Sequence, residues 1–375
     1  MRLAIAAVAL ATACAGGPGA SPAPRPAPSD VELTMFLIGD AGAPAPTGEP
    51  VLKALGDELG HAAGQRVVVF LGDNVYPRGL PDSAAPDRTE MERRLDAQVD
   101  LVKAAGVRGI FVPGNHDWAK HGPDGWNAIR RQARQIARRG APEAELLPTD
   151  GCPGPAVVDF GRRVRLVLLD TQWWLHGGPK PVGPGSGCRA ADEKAVADSL
   201  KGDLATAGNR TVVVAAHHPL ASGGEHGGYF GVEQYLFPLR LIKPWLWIPL
   251  PGVGSAYPLA RQGGVSSQDM AGPANQRMRA RLEGAMRDHP PLVWVDGHDH
   301  NLQVIKGRRA RWLLVSGAGI FGHEGPANRL PDTRFASQSA GFMRLEFLTD
   351  GRERLGVLAV DLEGRSQERF SMWLE

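Results

Sequence analysis

From residue 32 to residue 114, three apolar runs alternate with two stretches of helical pattern. The runs are ELTMFLIG (32–39), RVVVFLG (66–72) and GIFVPG (109–114); the helical stretches lie around 49–63 and 86–105. The second helical stretch places Met91, Leu95, Val99 and Val102 on one face. Strands joined in this way need crossover helices, so the sheet they form is largely parallel. Further strands are expected at 156–160, 164–170, 211–216 and 292–296, with helices at 190–206 and 274–288. Beyond residue 300 the helical spacing stops. QVIKG, RWLLVSG, GFMRLEF, RLGVLAV and RFSMWL read as short strands joined by turns, expected to form an antiparallel meander that makes a second sheet. The fold class is therefore α/β, two stacked mixed β-sheets flanked by helices in four layers, α/β/β/α.

Charge and hydropathy exclude little. A formal net charge of +2 gives no electrostatic case for nucleic acid, and 43% hydrophobic with 22% charged residues is ordinary for a globular enzyme. The basic cluster Arg130, Arg131, Arg134, Arg138 and Arg139 reads as a solvated helix face, with an anionic contact as the alternative.

The ends of the chain are more informative. MRLAIAAVALATACAGGPGA has one positive charge, a short apolar run and small residues, the pattern of an export signal too short to span a bilayer. Leu10-Ala11-Thr12-Ala13-Cys14 resembles a bacterial lipobox, although Ala11 is smaller than the aliphatic residue usual there. The domain reading is a signal peptide at 1–13 with lipid on Cys14, a flexible tether at 14–30, and one catalytic domain at 31–375. The protein is then exported, as a cell-envelope lipoprotein tethered to a membrane or as a periplasmic or secreted protein. In an oxidising compartment Cys152 and Cys188 can pair; two free thiols are the other reading. A Trp- and Pro-rich insertion at 222–273 is expected to be a lid or wall beside the active site, or a surface that touches a membrane.

The chemistry rests on five short motifs, each after an expected strand. They are Gly39-Asp40-Ala41-Gly42, Gly72-Asp73-Asn74-Val75-Tyr76, Gly114-Asn115-His116-Asp117, Val214-Ala215-Ala216-His217 and Gly297-His298-Asp299-His300. Each glycine is expected to let the chain turn sharply as it leaves its strand. Strand ends are where an α/β sheet gathers side chains from distant sequence. Carboxylate, phenolate, amide and imidazole donors suit iron, zinc or manganese better than calcium. One carboxylate can join two ions. A lone Asp after a strand is usually a turn residue, and a lone buried His is usually a core group. Five such motifs in order are hard to explain by packing.

With these residues in view, the chain resembles the calcineurin-like metallophosphoesterases, and among them the purple acid phosphatases of the small tartrate-resistant type. The pattern GDxG, GDxxY, GNH(D/E), VxxH and GHxH is met throughout, and GHDHNLQ (297–303), LVSGAG (314–319) and LLDT (168–171) extend it. The resemblance implies two metal ions. Fe(III) would be held by Asp40, Asp73, Tyr76 and His300. A divalent Fe, Zn or Mn would be held by Asp73, Asn115, His217 and His298. It also implies hydrolysis of a small phosphate monoester (acid phosphatase activity) by a metal-bound hydroxide, with His116 and His226 as candidates for protonating the leaving oxygen. Many related enzymes have a histidine at the position of Gly42 and no tyrosine at that of Tyr76. His218 replaces a common aromatic, and His323 follows SGAGIFG near the expected pocket. A phosphodiesterase acting on nucleotides or phospholipid head groups is the alternative, and a non-catalytic surface binding protein is the third reading.

Overall fold

The first apolar run becomes β1 (Val31–Ile38), which is buried along nearly its whole length because its two faces meet different partners. Met35 and Leu37 point into the space between two sheets, while Phe36 and Ile38 pack toward helices. This is the physical reason the run is continuously apolar rather than alternating. These features come from a computed structural model, which describes residues 22–241 and 245–375. The expected signal peptide, Cys14 and the first part of the tether lie outside the described residues.

After β1 come α1 (Pro50–His61), β2 (Gln65–Phe70), α2 (Arg88–Ala105), β3 (Arg108–Phe111), α3 (Gly125–Gly140) and β4 (Ala144–Leu146). β1 to β4 pair in parallel, as the crossovers require. The second sheet holds β5 (Ala156–Phe160), β6 (Val164–Leu168), β7 (Thr211–Ala215), β8 (Val293–Asp296), β9 (Leu302–Lys306), β10 (Trp312–Ser316) and β11 (Thr333–Ser337). Among these lie α4 (Gln172–Leu175), α5 (Glu193–Ala205), α6 (Val232–Leu236), α7 (Ala256–Gln262) and α8 (Pro273–Ala285). The chain ends in β12 (Gly341–Leu348), β13 (Glu353–Val360) and β14 (Ser366–Leu374).

The two seven-stranded sheets run β14-β13-β12-β1-β2-β3-β4 and β11-β9-β10-β8-β7-β6-β5. The late strands therefore do not make a sheet of their own. β9 to β11 complete the sheet begun by β5, and β12 joins the first sheet antiparallel to β1. β12 explains the division. All eight of its residues are buried, and a free meander would leave one face in water.

Four local findings refine the sequence reading. The basic run lies on α3, where Arg138 and Arg139 pair with Glu92 and Asp100 of α2. Residues 22–30, read as the end of the tether, are docked: Ala23 is buried and its carbonyl accepts from the Arg354 guanidinium (2.9 Å). Cys152 and Cys188 form a disulfide. The described part of the 222–273 insertion folds into short helical pieces and leaves Trp245 71% and Trp247 54% exposed. No helix among the described residues is long and apolar enough to cross a membrane.

Candidate metal centre

The five motifs leave β1, β2, β3, β7 and β8 at their C-terminal ends, where backbone hydrogen bonds hold the strand exits together within each sheet and, through Gly39, between the two. Gly39 N donates to Ser316 O (2.7 Å), Asp40 N to Gly72 O (2.9 Å) and Gly297 N to His217 O (3.1 Å). Of the motif glycines preceding a named side chain, Gly72 alone takes a positive φ (94°), and three of the candidate residues take the left-handed step themselves. Asp40, Asp73 and His298 have φ of 61°, 54° and 68°. Non-glycine residues held there cost about 1–3 kcal/mol each and cluster at functional sites. The glycines serve close approach instead. A Cβ on Gly114 would lie 2.3 Å from Asp73 Oδ1.

Two groups of donor atoms result. In the first, Tyr76 Oη lies 2.9 Å from Asp40 Oδ1 and 3.1 Å from His300 Nε2, and His300 Nε2 lies 3.4 Å from Asp40 Oδ1. In the second, Asn115 Oδ1 lies 2.9 Å from His217 Nε2 and 3.0 Å from His298 Nδ1, and the two imidazole nitrogens are 3.2 Å apart. Asp73 joins the groups. Its Oδ1 is 3.5 Å from His217 Nε2, and its carboxylate is also close enough to Tyr76 to help raise the pKa of that phenol. All seven side chains proposed as ligands are thus brought together.

The remaining ring nitrogens test whether these residues fit metal ions. His217 Nδ1 donates to Leu71 O (2.8 Å), His298 Nε2 to Gln268 O (3.3 Å) and His300 Nδ1 to His323 O (3.1 Å). Each bond fixes a tautomer whose other nitrogen presents a lone pair to the cluster, the usual arrangement of ligating histidines. Donor atoms about 3 Å apart also suit ions with bonds of roughly 2 Å. The residues fit. His218 lies near enough to be counted with His217 and His298, but it is excluded as a ligand. Its Nδ1 is engaged by Thr171 Oγ1 (2.8 Å) and its Nε2 by Gln268 Oε1 (2.8 Å).

The electrostatics point the same way. Burial pushes the Asp40 carboxyl up, but the hydrogen bond and charge of His300 outweigh it and the pKa is lowered. Burial, then the Asp40 and Asp73 carboxylates, raise Tyr76 well above 10.0. Burial, then His226 and His218, hold His298 well below 6.5 and keep its lone pair free. Burial opposes protonation of His300, yet Asp40 overcomes it and pushes the pKa up to about 9.

This last shift makes a prediction for protein stripped with a chelator. A histidine raised from 6.5 to about 9 contributes stability that is fully present below pH 6.5 and is lost as pH rises through 9. The melting temperature of stripped protein should therefore fall between pH 6.5 and 9.5. Metal-loaded protein should not show this fall, because its ligating nitrogen carries no proton. Equal pH profiles in the two forms would exclude the His300–Asp40 pairing.

His116 and His226 flank the cluster. His116 Nδ1 donates to Pro77 O (2.6 Å), which leaves Nε2 3.8 Å from Asp73 Oδ2. His226 Nδ1 hydrogen-bonds to Asp269 Oδ1 (3.1 Å), a carboxylate also held by Arg261 Nε (2.6 Å), and the His226 ring packs tilted against His298 with centroids 3.7 Å apart. His323 stacks on His300 at 5.1 Å and supplies the carbonyl that orients it.

Several supporting residues carried no assigned role in the sequence reading. Asp117 is fully buried and accepts from Gly114 N, Asn74 N, Val75 N and Asn74 Nδ2 at 2.8–3.1 Å. Its place two residues after Asn115 was the available signal. Asp299 Oδ1 accepts from His226 N (3.0 Å), so the residue between the candidate ligands His298 and His300 pins the insertion to the site. Gln268, Asp269 and Arg261 belong to the insertion and follow no motif, so only the fold reveals them.

The sequence model of the calcineurin-like phosphoesterases matches residues 34–265. The chain belongs to that family. Its members bind two metal ions, and this phosphoesterase has the residues to do so. No curated protein matches it. Among solved structures it is similar to GAP50, the anchor in the inner membrane complex of Plasmodium. That similarity has a TM-score of 0.56 and 14% identity, over 92% of this chain and 89% of that one. It is also similar to the purple acid phosphatase PPD1 from yellow lupin (Lupinus luteus) seeds, with a TM-score of 0.54 and 14% identity. There 92% of this chain covers 53% of that one. PhoD is a third neighbour, with a TM-score of 0.56 and 13% identity over 92% of this chain and 69% of that one. At these identities the likeness is one of fold.

Proposed function

We propose that the phosphoesterase hydrolyses phosphate monoesters as an acid phosphatase, holding Fe(III) at Asp40, Asp73, Tyr76 and His300 and a divalent ion at Asp73, Asn115, His217 and His298. The observation that carries this is the pair of donor groups joined by Asp73, each imidazole oriented by a backbone carbonyl. Bound ions of this kind supply charge for the phosphate oxygens and make water acidic enough to attack near neutral pH.

The chain's own residues then complete the chemistry. His116, near Asp73, and His226, packed against His298, are the candidates for giving a proton to the departing oxygen. The Asp269–Arg261 pair keeps His226 in place. Tyr76 supports iron in the first site, because a phenol flanked by Asp40 and Asp73 would lose its proton to solvent only beside a strongly charged cation that stabilises the phenolate. Gly42 supports the same choice. A Cβ there would lie 2.4 Å from Asp73 O, so a histidine cannot replace the tyrosine as ligand without moving that loop.

The test is to purify the domain and measure its metal content, visible spectrum and hydrolysis of a phosphomonoester and a phosphodiester. Iron, visible colour and preference for the monoester are expected. Tyr76→Phe should lose the colour while retaining the fold. Diester preference would replace the monoester reading, and a colourless zinc protein would remove iron. Export and lipidation at Cys14 belong to the same proposal. Absence of lipid from Cys14 in protein taken from bacterial membranes would remove that part.

A further inference from the structure

Behind the site runs a buried line of hydrogen bonds that ends at a histidine no metal ion needs. Thr171 Oγ1 meets His218 Nδ1 at 2.8 Å, and His218 Nε2 meets Gln268 Oε1 at 2.8 Å. Gln268 Nε2 then donates to Gln172 Oε1 (3.1 Å), and Gln172 Nε2 donates to His121 Nδ1 (3.0 Å). Gln268 Nε2 also lies 3.4 Å from His121 Nδ1. Thr171, Gln172, His218 and Gln268 are all buried.

An amide nitrogen can only donate, so the line has one polarity. The His121 Nδ1 must accept, and the neutral ring must carry its hydrogen on Nε2. That Nε2 makes no hydrogen bond among the described residues and is not sealed inside the protein. Burial, then His116, holds the ring below its usual pKa of 6.5 and favours the neutral form.

His121 also has a defined place. It follows the loop that carries Asn115 and His116, and Lys120 N closes that loop on Asn115 O (3.1 Å). On its other side is Gln268, whose carbonyl orients the ligand His298. Ala119, Lys120 and His121 take φ of 52°, 49° and 68°, three successive left-handed residues without a glycine. Such a run is costly and needs the surrounding contacts to hold it.

We propose that His121 is a substrate-binding residue, its Nε2–H donating to an oxygen of the phosphate group held at the metal centre, with the Thr171–His218–Gln268–Gln172 line fixing its tautomer. This inference rests on the phosphoesterase reading of that centre. The insertion acquires a role through it, because Gln268 links the 222–273 segment to His121.

The probe is inorganic phosphate, titrated calorimetrically into the metal-loaded protein, alongside steady-state hydrolysis of a phosphomonoester. His121→Ala should weaken phosphate binding and raise KM about tenfold, the loss of one hydrogen bond to a charged group. Metal content should be unchanged and kcat should stay within about twofold, as expected for binding shared by ground and transition states. His121→Gln, which returns an N–H near the position of Nε2, should recover most of the affinity. Wild-type phosphate affinity in His121→Ala, or no recovery in His121→Gln, would overturn the proposal. Should His121→Ala fail to fold, His121→Phe keeps a ring in place without the N–H, and an unchanged KM in that variant would overturn it equally. Phosphate binding that depends on His121 in a wild-type protein hydrolysing no ester would instead defeat the hydrolytic reading alone.

Discussion

Asp73→Ala is expected to empty both metal positions and to lower kcat/KM by on the order of 10³-fold or more. The carboxylate stands between the two donor groups, 3.5 Å from His217 Nε2 on one side and near enough to Tyr76 on the other to help raise the pKa of its phenol. Its Oδ1 also accepts from His116 N (2.8 Å), so its loss frees the loop that carries the proton-donating candidate. His116→Ala is the contrasting variant. It removes no metal donor, so metal should be retained while kcat falls about 10²-fold. Elemental analysis beside kinetics checks both, and a fully loaded Asp73→Ala protein would refute the bridging role.

Asp117→Ala is expected to be the most destabilising single change near the site, by about 3–5 kcal/mol. The side chain is fully buried and collects four N–H groups from the loops after β2 and β3. Removing it leaves those donors buried without partners. Burial, then the nearby Asp73 carboxylate, push Asp117 up to about 7, against the N–H groups that favour its charged form. A cation beside Asp73 would remove that repulsion, so the destabilisation should be larger in metal-loaded protein than in stripped protein. Denaturant unfolding of both forms measures this. A loss under about 1 kcal/mol would mean that the loops are held in some other way.

The metal-ligand candidates were legible because their signal is local. Each follows a strand within a few residues, and strand exits in a parallel sheet converge whatever the intervening sequence does. The sheet partners of the late strands were not legible in the same way. QVIKG and GFMRLEF have similar apolar character, yet the first became part of β9 in the second sheet and the second became β12 beside β1. A strand's composition says that it needs covering, but not by which sheet. The motif glycines were legible as sharp exits from their strands, but the close approach that they serve was not. Close approach of Gly114 to Asp73 depends on two loops brought together from different strands.

The sequence by itself determined the α/β class, the order of the ligand-bearing turns and the identity of the donor atoms. These follow from chain periodicity and from side-chain chemistry, both of which are local. Only the tertiary structure decided how each imidazole is turned, since Leu71, Gln268 and His323 offer carbonyls from segments far apart in sequence. It likewise decided that the insertion reaches the site through Gln268, Asp269 and Arg261, and that His121 ends a line of hydrogen bonds. A hydrogen bond requires an angle and a distance of about 3 Å between groups that the chain brings together only when it folds.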